Sequence, residues 1–119
     1  MADWARPVVF FEIRGRDKQR LKEFYAAIFN WKIDENEAIN YAVIEHGIGG
    51  PPDGVGGGIG QSDEPRVLVY VQVLSPDETL RKVGELGGKT VLAPVDIPGG
   101  PTIAQFQDPE GNLIGLVKQ

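Results

Sequence analysis

The sequence predicts an α+β fold made of two tandem βαβββ modules in one domain of 119 residues. Two observations carry this prediction. An apolar strand pattern leading into an amphipathic helix pattern occurs twice, and three short strand patterns follow each helix pattern. We place the single domain at residues 1–119, with the first module at about 6–60 and the second at about 66–118. A chain of this length has room for one hydrophobic core of ordinary size.

The first module begins with a strand pattern at residues 8–13. A helix is predicted from about Asp17, which is a good N-cap because its carboxylate accepts the free amide hydrogens of the first turn. Three strands are predicted after this helix, at residues 31–33, 40–44 and the glycine-rich 55–59. Apolar residues at helical spacing form the face that we expect to be buried, namely Leu21, Phe24, Tyr25 and Ile28.

The second module begins with a strand at residues 67–73, in which four valines share one face. Ser75 and Glu78 have the spacing of a capping box, and Pro76 suits the first helical position, so a helix begins there. Gly87 and Gly88 end it, since glycine adopts a left-handed C-cap readily. Its buried stripe is predicted to be Leu80, Val83 and Leu86, and further strands are predicted at residues 90–92, 102–106 and 113–117.

The last two strands are joined by the turn sequence Asp-Pro-Glu-Gly-Asn at residues 108–112. Pro109 favours the φ of a turn, Gly111 tolerates positive φ, and Asp108 and Asn112 suit turn conformations. Because apolar runs flank this sequence, it predicts a closing β-hairpin.

Composition and charge exclude several classes of protein. The formal net charge of −5 argues against a nucleic-acid binder, whose affinity comes from Lys and Arg on phosphates. No apolar stretch approaches the ~20 residues of a membrane-spanning helix, and the first residues lack the layout of a signal peptide. Cysteine is absent, which excludes disulfides and thiolate catalysis. We therefore expect a cytoplasmic protein that binds neither nucleic acid nor membrane.

Four short motifs, in order along nearly the whole chain, resemble the vicinal oxygen chelate superfamily of glyoxalases, bleomycin-resistance proteins and extradiol dioxygenases. They are Phe-Glu-Ile at 11–13, Glu-Phe-Tyr at 23–25 leading into Phe-Asn-Trp at 29–31, Leu-Gly-Gly-Lys at 86–89, and the closing turn. The resemblance implies curved mixed sheets, each with one face on a helix and the other lining a groove. It also implies pairing of chains, so we expect a homodimer.

Strand alternation then assigns residues to the two faces of each first strand. In the first module Val9, Phe11 and Ile13 are predicted to face the helix, and Val8 the groove. In the second module the valines face the helix. The candidate ligand-binding residues are those predicted to face the groove: Phe10, Glu12, Leu68, Tyr70 and Gln72.

The resemblance also locates the metal ligands of metal-using relatives, which are histidines and glutamates on the groove-facing strands. In this sequence the two histidine positions are Phe10 and Leu68, and the glutamate position of the last strand is Gly115. The strand within residues 54–60 contains no carboxylate for a fourth ligand. Because these positions hold no donor, we expect neither a metal ion nor another cofactor at this site.

Two ionisable residues remain candidates for chemistry. A carboxylate at Glu12, beside Phe10 in an apolar groove, suits a general base or a ligand anchor, or equally a residue paired at the groove mouth or a dimer interface. His46, the only histidine, suits a proton shuttle or a solvated strand end. A separate metal cluster of Glu35, Glu37 and His46 also stays open. The glycine-rich residues 47–60 lack a P-loop pattern and are predicted to form a flexible rim or hinge.

Three hypotheses follow. The first is a metal-free small-molecule binding protein whose ligand is a cationic or neutral organic molecule, since the chain is acidic. The second is a glyoxalase-like lyase, isomerase or dioxygenase-related enzyme that uses Glu12 as general base. The third is a dimeric interaction module.

Overall fold

The computed structural model describes residues 5–45 and 54–119, and His46 and residues 47–53 of the glycine-rich segment lie outside them. The chain divides into two compact units, Phe10–Leu68 and Met1–Val9 with Val69–Gln119. The α+β class and the two βαβββ modules are confirmed. The elements in chain order are β1 Val8–Gly15, α1 Lys18–Phe29, β2 Ile33–Asn36, a 3₁₀ turn Glu37–Ile39, β3 Tyr41–Ile44, β4 Gly56–Gln61, β5 Arg66–Val73, α2 Pro76–Glu85, β6 Lys89–Asp96, β7 Thr102–Gln107 and β8 Leu113–Lys118.

In the first unit the strands lie in the order β2-β3-β4-β1. β1 and β4 are parallel, and the other neighbours are antiparallel. One face of this sheet forms the core with α1, in which Ile13, Ala42, Ile44 and Ile59 are buried. Partly buried Phe11, Leu21, Tyr25, Trp31 and Ile33 pack against them.

Helix α1 begins where its sequence predicts, but its apolar face is narrower than predicted. Asp17 caps it by accepting a hydrogen bond from the Arg20 amide at 3.0 Å. Asn30 ends it in the left-handed conformation, at φ 58°. The prediction that Phe24 and Ile28 are buried is wrong, because both are more than half exposed in this chain.

Trp31 was predicted to begin a strand, and that prediction is wrong as well, since β2 begins at Ile33. The Trp31 ring instead packs beside α1, stacked on Tyr25 with 5.5 Å between ring centroids and at the same separation from the Phe11 ring. Burial of this indole in an aromatic cluster outweighs the local preference for an extended strand. Residues 56–60 belong to the paired strand β4, so the strand predicted at 55–59 is confirmed and the hinge predicted over 47–60 is wrong for these residues.

In the second unit the strand order is β5-β8-β7-β6. β5 and β8 are parallel, and β7 is antiparallel to both of its neighbours. The core combines buried Val73, Ala104 and Leu116 with Val71, Leu80 and Phe106. The second unit therefore repeats the strand order and strand directions of the first.

The predicted capping box of α2 is confirmed at its N-cap. The Ser75 hydroxyl oxygen accepts a hydrogen bond from the Glu78 amide at 3.2 Å, and Pro76 occupies the first turn. At the other end Gly87 has φ 99°, and the Gly88 amide donates to the Val83 carbonyl at 2.8 Å.

Three expectations for this unit and its first strand are corrected. Leu86 is 77% exposed, because it is the C-cap and lies beyond the last residue of α2. Val67, near the start of β5, is 68% exposed rather than packed on a helix. β6 is longer than predicted and reaches Asp96, with register shifts on both sides of Leu92.

The predicted closing hairpin is confirmed. The Asp108 carboxylate accepts hydrogen bonds from the amides of Glu110 and Asn112 and from the Asn112 side chain, all at 2.9 Å. These bonds, the Asn112 side chain first, lower the pKa of Asp108. Gly111 has φ 92°, as the turn requires. Across the residues that the structure describes, no helix is both long and apolar enough to cross a membrane.

Candidate functional site

The candidate site lies on the face of the first sheet opposite α1. Cross-strand register places Glu12 beside Gly58 of β4, and Gly58 beside Val43 of β3. Side chains alternate along each strand, so these positions share a face with Phe10 and Arg14, while Phe11 and Ile13 point to the core. The predicted orientation of β1 is therefore the one found.

Glu12 is a buried carboxylate held by two side chains on this face. It is 6% exposed. Its Oε1 accepts a hydrogen bond from the Tyr41 hydroxyl at 2.8 Å. Its Oε2 accepts a hydrogen bond from Nε of Arg14, which is also an ion pair. Each carboxylate oxygen thus has a donor, and one donor carries the positive charge that a buried carboxylate requires.

The Tyr41 ring lies over a glycine to reach Glu12. Tyr41 is paired with Gly60, and its ring leans over Gly58, the diagonal neighbour along β4. A Cβ atom at Gly58 would lie 2.1 Å from the Tyr41 hydroxyl oxygen. A residue with a side chain at this position would therefore displace the ring.

Of the other candidates in the first unit, Phe10 is partly buried on the same face as Glu12, and Leu68 is buried at 3% exposure. Sequence reasoning missed Tyr41. Its contact with Glu12 depends on the register of three strands, for which the local sequence holds no signal.

The second unit holds a buried polar pair on its own sheet. Tyr70 is 4% exposed and Gln105 is 6% exposed. The Gln105 Nε2 donates a hydrogen bond to the Tyr70 hydroxyl oxygen at 2.9 Å. Register places both beside Gly115, on the face opposite the core residues Val71 and Leu116. Sequence reasoning also missed Gln105. Its place next to apolar Ala104 in a predicted strand was a usable signal, because adjacent residues of a strand face opposite sides of the sheet.

Gln72, two residues after Tyr70, is partly buried and lies on the same face of β5. Its backbone amide donates to the Pro7 carbonyl at 2.9 Å. That bond does not involve the Gln72 side chain, whose role in ligand binding stays a prediction.

The Tyr70 ring occupies the space that a side chain at position 115 would need. A Cβ atom at Gly115 would lie 2.4 Å from two carbons of that ring, Cδ2 and Cε2. The position at which the resemblance places a metal-ligating glutamate is thus both without a donor and covered by an aromatic ring. Phe10 and Leu68 likewise offer no donor atom.

Among residues 5–45 and 54–119, no three His, Cys, Asp or Glu side chains lie close enough to hold a metal ion. The possible cluster of Glu35, Glu37 and His46 includes a residue outside this range and stays a prediction. Glu35 accepts hydrogen bonds from Lys22, at 2.8 Å, and Lys18, at 2.5 Å. These bonds, that from Lys18 first, lower the pKa of Glu35. His46 lies outside the described residues.

A family model described as a glyoxalase-like domain matches residues 9–117 of this chain. No curated protein matches this chain. Among solved structures the chain is similar to a glyoxalase/bleomycin resistance protein/dioxygenase superfamily member from Vibrio splendidus 12B01. The TM-score is 0.65 at 18% identity, over 97% of this chain and 100% of that one.

The chain is also similar to two structures of methylmalonyl-CoA epimerase. The enzyme from Mycobacterium tuberculosis gives a TM-score of 0.64 at 15% identity, over 93% of this chain and 86% of that one. An epimerase in complex with methylmalonyl-CoA and NH4+ gives 0.65 at 17% identity, over 96% and 94%. At these identities the similarity shows the fold, and the predicted fold and resemblance are confirmed.

Proposed function

This chain belongs to the glyoxalase-like domain family, and on that premise we propose that it is a small-molecule binding protein that works without a metal ion. One observation carries the proposal. On the face of the first sheet opposite α1, a buried Glu12 carboxylate is held in a fixed direction by Tyr41 and Arg14. Such a group, beside Phe10, suits selection of a polar group on an otherwise apolar ligand.

The charge of the chain narrows the class of ligand. With a formal net charge of −5, the protein attracts cations and repels strong anions at low ionic strength. We propose a cationic or neutral organic ligand, contacted in the first unit by Phe10, Glu12 and Leu68. Tyr70 and Gln72 are the proposed ligand-binding residues of the second unit.

The metal-free part of the proposal rests on the residues at three positions. Phe10, Leu68 and Gly115 stand where metal-using relatives hold ligands, and none carries a donor atom. The Tyr70 ring also covers Gly115. These side chains do not fit a divalent metal, which needs several nitrogen or oxygen donors within about 2 Å.

The test uses three dyes of different charge on protein treated with a chelator: crystal violet, a cation; Nile red, which is neutral; and anilinonaphthalene sulfonate, an anion. We expect saturable fluorescence changes, at one dye per chain, with the cation or the neutral dye and weaker binding of the anion. Glu12→Gln keeps the shape of the side chain and is expected to weaken crystal violet binding more than Nile red binding. The proposal fails if no dye binds, or if binding appears only after a divalent metal is added.

The second candidate function is an enzyme in which Glu12 acts as general base. Its support is the buried carboxylate and the similarity to structures named methylmalonyl-CoA epimerase. Because each carboxylate oxygen has two lone pairs, the hydrogen bonds from Tyr41 and Arg14 are compatible with either role. Incubation with methylmalonyl-CoA in heavy water separates the two: deuterium at the α-carbon with the wild type but not with Glu12→Gln would establish the enzyme.

The remaining parts of the proposal concern assembly and location. We propose a homodimer, because Phe24, Ile28 and Phe29 expose apolar surface on one helix that a partner chain can cover. Light scattering after gel filtration is then expected to give twice the chain mass of 13.0 kDa. A monomer at micromolar concentration would exclude the dimeric interaction module as well.

We also propose a cytoplasmic location, which fractionation of the source cells tests.

A further inference from the structure

The glycines of β4 lie under two aromatic rings, one on each face of the sheet. A Cβ atom at Gly57 would lie 2.4 Å from Cε1 and Cζ of Phe11, which belongs to the core beside α1. A Cβ atom at Gly58 would lie 2.1 Å from Cε2 of Tyr41, whose hydroxyl bonds Glu12 on the other face. Gly57 therefore leaves room for the Phe11 ring on one face, and Gly58 leaves room for the Tyr41 ring on the other.

We propose that Tyr41 is the positioning residue of the candidate site. Its ring rests on Gly58 and holds its hydroxyl at Oε1 of Glu12, which fixes the direction in which the carboxylate meets a ligand. The inference rests on the proposed binding function and adds one residue and its supporting glycine to it.

Arg14 and Tyr41, which both donate to Glu12, differ in how firmly they are held. Arg14 lies two residues further along the same strand and reaches Glu12 with a long side chain. Tyr41 has only two side-chain torsions and comes from β3, on the far side of β4. The Tyr41 ring lies over the backbone of β4 at Gly58 and Gly60, where Cβ atoms would lie 2.1 and 3.4 Å from it. Tyr41 is therefore the donor whose position the strands themselves fix.

The first test reads the Glu12 carboxyl carbon directly by NMR on protein labelled with ¹³C in glutamate. Its signal is identified by its loss in Glu12→Gln. Tyr41→Phe keeps the ring and removes only the hydroxyl, and it is expected to move that signal. Gly58→Ala keeps the hydroxyl but displaces the ring, and it is expected to move the signal in the same direction.

Gly54→Ala is the matched control, because a Cβ atom there would have nothing within 4 Å, and it is expected to leave the signal in place. If Gly58→Ala does not fold, Tyr41→Phe still decides the matter. An unmoved Glu12 signal in Tyr41→Phe would overturn the inference, since the ring alone would then suffice.

The second test measures crystal violet binding to the same variants. Loss of one hydrogen bond that orients the carboxylate predicts binding weaker by about 3- to 10-fold in Tyr41→Phe. Equal binding by the wild type and Tyr41→Phe would overturn the positioning role. If the wild type binds no dye, the proposed function fails, whereas the NMR result still decides whether Tyr41 holds Glu12.

Discussion

Gly115→Ala is the substitution whose effect the structure predicts most sharply. The new Cβ atom would lie 2.4 Å from two carbons of the Tyr70 ring and 2.7 Å from a third. Tyr70 is 4% exposed, so the ring cannot swing into solvent without losing its packing. Overpacking of this kind costs about 1–3 kcal/mol, and loss of the bond from Gln105 adds about 1 kcal/mol. Replacing glycine in a strand returns about 0.5–1 kcal/mol.

The net expectation for Gly115→Ala is a loss of about 2 kcal/mol in the free energy of unfolding, or a fall in Tm of roughly 10 °C. Urea denaturation followed by circular dichroism measures it. Gly84→Ala in α2 is the control in the same unit, because a Cβ atom there would have nothing within 4 Å. It is expected to stabilise the protein by up to about 1 kcal/mol.

A double-mutant cycle tests the stated cause. In a Tyr70→Ala background the space beside position 115 is open, so Gly115→Ala is expected to cost less than about 0.5 kcal/mol there. An equal cost in both backgrounds would refute the steric argument, as would a Gly115→Ala protein with the stability of the wild type.

Three further predictions concern the core, a helix cap and a turn. Ile59→Ala, at a residue with 0% exposure, is expected to lower the free energy of unfolding by about 2–5 kcal/mol in urea denaturation. Ser75→Ala is expected to lower it by about 1 kcal/mol by removing the cap on α2, and Ser75→Asn to restore most of that loss. Hydrogen bonds hold the pKa of Asp108 below its ordinary value of 3.8. These bonds therefore contribute stability that is present above that value and is lost as the pH falls through the lower pKa of the folded state. Urea midpoints measured from neutral pH into acid are therefore expected to fall less steeply in Asp108→Asn than in the wild type, and parallel curves would contradict this.

The signals that were read correctly from sequence are local ones. A cap needs one side chain and the amides three residues on, as at Asp17 and Ser75, and a turn needs residues that tolerate its dihedral angles, as at Gly111. Alternation along one strand likewise assigned Phe11 and Ile13 to the core. Each of these preferences acts within a few residues, so the sequence alone determined the type and order of the main elements and the face of β1 that carries Glu12, but not every strand boundary.

The errors and omissions come from contacts between distant parts of the chain. Phe24 and Leu86 have helical spacing, but how far an apolar face is covered depends on what packs there. Tyr41 reaches Glu12 across β4, and Gln105 reaches Tyr70 across β8, because strand register places them so. The sequence shows that residue 115 is a glycine and offers no metal ligand, whereas the Tyr70 ring that covers this glycine comes from another strand. The sequence gives the type of each side chain. Which side chains come into contact is decided only when the strands pair, because pairing brings together residues that no local preference connects.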